Sequence, residues 1–252
     1  MAQIKSVHKK RPPKKFQIPG PVVQWGIIGI VVAVVIFLVA GSLSRTPAEP
    51  PPIPMLSSAQ RDLVSLTRML GDVELDSAVR RMFPAGLDAR LVGPDTLFEQ
   101  KKWLDAIGQL DKLVKKSAAE DLPALRAYSG VCFYQAASLD RAVQQFRKGL
   151  AKAESTGSPL KPWLAFSAAY LFQSRGYQDS AVAYYRLAQQ SLGEPSGTLR
   201  IRVLNNVGVA LEVLKDTAAA GTALRQALAL TDSAADPKTA RLVRDNLGRL
   251  SR

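Results

Sequence analysis

The chain has 252 residues, 47% of them hydrophobic, and a formal net charge of +13. This size and composition suit one sizeable domain or two small ones and exclude a chain that is disordered throughout. Its one cysteine, Cys132, and its one histidine, His8, exclude an internal disulfide framework and a Ser/His/Asp or Cys/His catalytic set. We therefore expect no enzymatic activity, no metal, no cofactor and no small-molecule substrate.

Residues 1–20 form a basic tail that contains no acidic residue. Its prolines, Pro12, Pro13 and Pro19, oppose a helix, so a solvated segment is predicted. Anionic lipid head groups and nucleic acid are the two partners that such a tail attracts. The basic residues are Lys5, Lys9, Lys10, Arg11, Lys14 and Lys15.

Residues 21–43 carry no charge and consist mainly of Val, Ile, Leu, Phe and Ala. A helix of that length, at ~1.5 Å per residue, crosses the ~30 Å hydrocarbon layer, and Trp25 lies at the depth of the head groups. A single transmembrane helix is predicted. A cleavable signal peptide is the competing interpretation, but its apolar region is ordinarily only ~7–15 residues long, which favours an uncleaved anchor.

The orientation of this helix follows from the basic residues on either side of it. Six precede it, whereas only Arg45 and Arg61 follow it closely. The N-terminus is therefore predicted to be cytoplasmic and the remaining chain extracytoplasmic, most simply periplasmic at a bacterial inner membrane. In that position the tail meets anionic lipid directly, which makes nucleic acid the lesser hypothesis.

After the anchor, residues 44–56 read as a proline-rich linker. Residues 57–94 are predicted to be a helical cap, with helices at about 59–70, ended by Gly71, and 75–82. Residues 103–116 indicate the second helix of a degenerate repeat. Its first helix would have to contain Gly93 and Pro94, which a helix interior resists.

A pattern of small and large residues then recurs every 39 residues. Small residues let two helices approach closely, and a large residue on the partner helix fills the space beside them. We therefore predict pairs of antiparallel helices stacked into a short all-α solenoid. The recurring residues are Gly130, Ala169 and Gly208, then Ala142, Ala181 and Ala220, then Phe146, Tyr185 and Leu224.

At these residues the chain resembles the tetratricopeptide repeat (TPR) family, most closely over residues 203–230. The resemblance implies a TPR-like array over residues 95–252, with a capping helix near 239–250, and a role in binding other proteins. The 39-residue period exceeds the family's ~34 residues and implies longer connections at 155–161 and 192–199. An ordinary helical bundle with alanine-rich faces remains the alternative.

In that family the first helices line a concave groove, which implies a protein-binding site here. Only Asn205 fits the family's clamp for carboxylate tails, so such a clamp is not expected. The aromatic residues instead favour capture of an extended or helical apolar segment, with Arg202 available for an acid. The alternative is that these aromatics pack between repeats. The implied site residues are Tyr134, Trp163, Phe166, Tyr170, Arg202 and Asn205.

Together these features predict a membrane-anchored scaffold or adaptor that binds a partner protein through an apolar or acidic segment. The alternative is a constitutive structural subunit of a larger membrane complex.

Overall fold

A computed structural model of the protein describes residues 68–193, 197–231 and 236–251. The basic tail, the transmembrane helix at 21–43, the linker and most of the helix predicted at 59–70 lie outside these residues. None of the helices within the described ranges is long and apolar enough to cross a membrane.

The described residues form helices and contain no strand, which confirms the all-α prediction for this part of the chain. A short 3-10 turn at Ala119–Asp121 precedes the fourth helix. The helices are α1 Ser77–Arg80, α2 Leu87–Glu99, α3 Trp103–Val114, α4 Leu122–Gln135, α5 Leu139–Thr156, α6 Lys161–Ser174, α7 Gln178–Ser191, α8 Gly197–Val213, α9 Thr217–Leu230 and α10 Pro237–Arg249.

Helices α2 to α9 pack as four consecutive hairpins, and α10 packs on the last of them. The second helix of each hairpin also packs against the first helix of the next, so α3 contacts α4, α5 contacts α6 and α7 contacts α8. Each hairpin thus buries its apolar face against its neighbours. This is the arrangement of a helical-repeat solenoid.

The four hairpins share one turn, in which a residue adopts a left-handed backbone conformation. In each turn the N–H of the following residue bonds to a carbonyl five positions back, as Ser138 does to Phe133 at 2.8 Å. This is the Schellman type of helix end. Glycine suits the left-handed position best, yet only one of the four turns has it. The four residues are Lys101 (φ 59), Ala137 (φ 56), Gly176 (φ 84) and Lys215 (φ 66).

The prediction that Gly93 and Pro94 prevent a first helix before residue 103 is wrong, because both lie inside α2. A Cβ atom at Gly93 would lie 2.4 Å from the Gln109 Oε1 atom, so the Gln109 side chain of α3 occupies the space beside this glycine. Pro94 lacks an N–H and removes one helical hydrogen bond, but its side chain is buried. The array consequently begins at Leu87, ahead of the expected residue 95.

Other predicted boundaries also differ. The helix expected at 75–82 is only the four-residue α1, whose N-cap Asp76 accepts from the backbone of Ala78 and Val79. The connection after α5 is limited to residues 157–160, because α5 is 18 residues long and takes up part of the extra period. The connection after α7 is also shorter than the expected 192–199, because α8 already begins at Gly197.

The interior of the hairpins follows the small-and-large pattern. A Cβ atom at Gly130 would lie 2.3 Å from the Phe146 Cε1 atom, and one at Gly208 would lie 2.6 Å from the Leu224 Cγ atom. The side chains of Phe146 and Leu224 are fully buried. Cys132 lies in the same interior, where burial raises the pKa of its thiol to about 12, so it is not poised as a nucleophile.

Candidate functional site

Residues 68–75, which we call the groove segment, lie across the surface formed by α10 and by α4, α6 and α8, the first helices of the last three hairpins. We call this surface the first-helix face. The segment contains no α-helix, and the Met69 and Val73 side chains are buried. Its hydrogen bonds reach Tyr134 on α4, Asn205 and Asn206 on α8, and Asn246 on α10.

Asn206 holds the backbone of Leu70 by two hydrogen bonds. The Leu70 N–H donates to Asn206 Oδ1 at 2.7 Å, and Asn206 Nδ2 donates to the Leu70 carbonyl at 3.1 Å. One carboxamide thereby replaces the donor and acceptor that a neighbouring β-strand would offer. Such a contact binds the backbone of a residue whatever side chain that residue carries.

Two further asparagines hold the residue at the start of the segment. Asn205 Nδ2 and Asn246 Nδ2 both donate to the Arg68 carbonyl, at 3.1 and 3.0 Å. The three amides also bond to one another, since Asn246 donates to Asn205 Oδ1 at 2.8 Å and Asn205 donates to Asn206 Oδ1 at 3.1 Å. All three side chains are fully buried, so their orientations are fixed by this network.

A second layer of polar groups lies behind Asn206. Its Nδ2 donates to the Tyr185 hydroxyl at 3.1 Å, and that hydroxyl donates to Gln173 Oε1 at 2.8 Å. Gln173 Nε2 in turn donates to the Asn206 backbone carbonyl at 3.2 Å. Burial raises the pKa of Tyr185 well above its usual value, so the hydroxyl stays protonated and keeps its donor.

Gly71, the residue after Leu70, has a left-handed backbone conformation. Its φ of +85° is strained for any residue with a side chain. A Cβ atom there would lie 2.8 Å from Arg202 Cδ and 3.4 Å from Phe166 Cζ. Both the backbone conformation and the lack of space therefore require glycine at this position.

The next residue, Asp72, is hydrogen-bonded to the side chain of Tyr134. The Tyr134 hydroxyl donates to Asp72 Oδ1 at 2.8 Å, and burial together with this bond raises the pKa of Tyr134. Burial, followed by the negative charges of Asp72 and Glu74, raises the pKa of Tyr170 to about 12. Both phenols therefore remain neutral near pH 7, and Tyr134 offers the Asp72 carboxylate a hydrogen bond rather than a positive charge.

An ionic contact closes the end of the face at α10. Glu212 accepts a hydrogen bond from Arg249 Nη2 at 2.8 Å, and Arg68 Nη1 lies 3.8 Å from its Oε1 atom. Arg249 also donates to Asn246 Oδ1 at 2.7 Å, which connects this ion pair to the three asparagines.

The structure brings four of the six residues implied by the sequence to the groove segment. Tyr134 and Asn205 bond to it, and Arg202 and Phe166 lie beside Gly71. Tyr170 lies next to Phe166, with ring centroids 6.2 Å apart, and the charges of Asp72 and Glu74 contribute to raising its pKa. The sixth residue differs. Trp163 is 4% exposed and packs edge-to-face on Phe146, with ring centroids 5.7 Å apart, so it lies between two hairpins.

Phe166 belongs to the face and to the core at once. It is 1% exposed, and its ring centroid lies 5.8 Å from that of Tyr185 and 6.2 Å from that of Tyr170. Packing between repeats, the alternative interpretation of these aromatics, thus describes Trp163 fully and Phe166 in part.

Sequence reasoning missed Asn206, Asn246 and the groove segment itself. One signal was present, since two adjacent asparagines, Asn205 and Asn206, are poor helix formers in an apolar helix. Asn246 lies 40 residues after Asn206, the same offset that relates Gly248 to Gly208. A polar residue recurring at a buried repeat position points to a hydrogen-bonding role.

No protein-family model and no curated protein matches the chain. Among solved structures, the fold is similar to the crystal structure of BtubC (BKLC) from P. vanneervenii. The TM-score is 0.57 at 17% identity, over 69% of this chain and 74% of that one. At that identity the similarity concerns the fold alone.

A second structure is the C-terminal part of a TPR repeat-containing protein from Cytophaga hutchinsonii. Its TM-score is 0.30 at 18% identity, over 62% of this chain and 77% of that one, which is too low to support an argument. The fold and the site together define a helical-hairpin repeat protein whose first-helix face holds a segment without an α-helix.

Proposed function

We propose that this protein is a membrane-anchored scaffold of the TPR type whose first-helix face binds an extended segment of a partner protein. The observation that supports this most directly is the pair of hydrogen bonds between Asn206 and the Leu70 backbone. A buried amide that binds backbone rather than side chain suits a surface that receives polypeptide. Recognition of an extended chain through its main-chain groups is a recurrent mode of peptide binding.

The TPR assignment rests on the repeat itself. The small-and-large pairs recur at a fixed spacing, and each glycine accommodates its large partner, as Gly130 does for Phe146. The hairpins stack in sequence and end in the single helix α10, as a capped array requires. Arrays of this kind bind other proteins through their extended faces.

The membrane component of the proposal is supported by sequence alone. Residues 21–43 are long and apolar enough to span a bilayer, and the six basic residues before them favour a cytoplasmic N-terminus. The array is then displayed in the periplasm, and the tail contacts anionic lipid. Protease added to spheroplasts should digest the array and spare the tail; full protection of the array would contradict this orientation.

Affinity purification from detergent-solubilised membranes tests the scaffold role. The full chain is compared with Asn206→Ala, which removes the contact to Leu70, and with Thr222→Ala, an exposed position on α9. We expect the wild type and Thr222→Ala to retain partners that Asn206→Ala loses or binds at least tenfold more weakly. Equal recovery by all three proteins would contradict binding at this face. One stoichiometric set of partners would favour the structural-subunit alternative.

A further inference from the structure

The groove segment is held in the manner of a bound peptide. Its backbone is fixed by side chains of Asn205, Asn206 and Asn246, which lie 136 to 178 residues further along the chain. Two of its side chains, Met69 and Val73, are buried, whereas Gly71 and Glu74 are exposed. An element of the hairpin core would instead bury one continuous face of a helix.

The face selects for a specific order of residues. Glycine is required at position 71 by the positive φ and by the closeness of Arg202 and Phe166. An acid is favoured immediately after it, because the Tyr134 hydroxyl donates to Asp72. Apolar residues are favoured on both sides, since Leu70 is half-buried and Val73 is fully buried. The pattern is therefore an apolar residue, glycine, aspartate and an apolar residue.

The side chains that contact this pattern are held in place by one another. Asn206 is fixed by Tyr185 and Gln173, and Phe166 packs against Tyr185. A preorganised set of donors and aromatic rings loses little entropy on binding and discriminates sharply against residues that do not fit. The specificity thus resides in the helices and is available to any segment with the same order of residues.

We propose that the face recognises this apolar-Gly-Asp-apolar pattern in an extended segment of a partner protein, and that residues 69–73 are an internal copy that the partner displaces. This inference rests on the proposed function and gives the partner's chemistry. The internal copy is covalently attached, so it competes at an effective concentration of ~mM. A partner segment of moderate affinity then binds only when it is itself concentrated or when the internal copy is released.

The test uses the full chain in detergent micelles and a fluorescent peptide with the sequence of residues 66–77. The wild-type chain should bind this peptide weakly. Gly71→Val weakens the binding of residues 69–73 to the first-helix face, so the Kd of the fluorescent peptide should fall at least tenfold. Gly86→Val is the matched control, because Gly86 also has a positive φ, +78°, but no atom within 4 Å of its Cβ position; its Kd should equal that of the wild type.

Variant peptides test the pattern itself on the Gly71→Val chain. Replacing the peptide's glycine by valine, or its first aspartate by lysine, should raise the Kd at least tenfold. Adding Asn206→Ala to the chain should abolish binding. If Gly71→Val lowers the helical circular dichroism, Asp72→Lys serves as the second way to release the internal copy.

Three results would overturn the inference. The first is a Gly71→Val or Asp72→Lys chain that binds the peptide no better than the wild type. The second is equal binding of the native and valine peptides. The third is a wild-type dimer in sedimentation that Gly71→Val dissociates, because the occupant would then come from a second copy. If any of these results occurs but affinity purification still recovers partners, the inference fails and the proposed function stands. If the peptide binds with the expected pattern but no partners are recovered, the proposed function fails and the inference stands.

Discussion

The hairpin core repeats with the 39-residue period, whereas the first-helix face does not. Core positions hold the same kind of residue each time, as with Gly130, Ala169 and Gly208. On the face, equivalent positions of three repeats hold Tyr134, Gln173 and Glu212, and each has a different hydrogen-bond partner. They bond to Asp72, to the Asn206 backbone and to Arg249, respectively.

The difference arises from what each region packs against. In every hairpin the first helix packs against the second, so the same small-and-large solution serves at each step. The face meets a single segment that has no repeat, so equivalent positions differ. Tyr134 bonds to Asp72 of the segment and Glu212 lies 3.8 Å from Arg68, whereas Gln173 supports Asn206 from behind. Repetition therefore identifies the hairpin core of this protein, and departures from repetition identify the surface that holds the groove segment.

The strongest test of the core side of this comparison is Phe146→Ala. The side chain is fully buried against Gly130, so its removal should lower the free energy of unfolding by ~3–5 kcal/mol. The matched control is Leu104→Ala, because Leu104 is 66% exposed on α3. Leu104→Ala should lower the free energy of unfolding by less than about 0.5 kcal/mol. Denaturant melts followed by circular dichroism measure both, and equal losses would contradict the assigned core.

Two buried glutamines, Gln173 and Gln178, allow a test of the hydrogen-bond network on the face. Gln173 is bonded to Tyr185 and to the Asn206 backbone, so Gln173→Met should cost ~2–3 kcal/mol. Gln178 is also buried, but neither atom of its amide has a hydrogen-bond partner in the described structure. Gln178→Met should be neutral or stabilise by ~1 kcal/mol. Losses of equal size in thermal melts would show that the Gln173 network contributes nothing specific.

The shared turns supply the smallest expected effect. Ala137 and Lys215 occupy the left-handed position that Gly176 fills in the third hairpin. Ala137→Gly and Lys215→Gly should therefore stabilise the protein by ~0.5–1 kcal/mol, and Gly176→Ala should destabilise it by a similar amount. Destabilisation by all three changes would mean that the turns are not equivalent.

The sequence predicted the repeating hairpin core better than it predicted the first-helix face. The 39-residue pattern identified the hairpins, because their contacts are local and recur. The exclusion of a first helix at Gly93 and Pro94 failed, because Pro94 is buried inside α2 and tertiary packing overrides local propensity there. Tyr134, Phe166, Arg202 and Asn205, which were proposed from their repeat positions, lie at the groove segment, and their role in binding a partner stays a prediction. The segment itself was not predicted, because 136 residues separate Leu70 from Asn206 and no local pattern links them.

The central claim is that Asn206 holds the groove segment on the first-helix face, and the exchange rate of the Leu70 amide tests it most directly. In the full chain in micelles, this amide should exchange at least tenfold more slowly than in Asn206→Ala, because its hydrogen bond to Asn206 Oδ1 shields it. The amide of Val131, inside α4, should exchange equally slowly in both proteins. Exchange of the wild-type Leu70 amide at the rate of an unstructured peptide would contradict the claim.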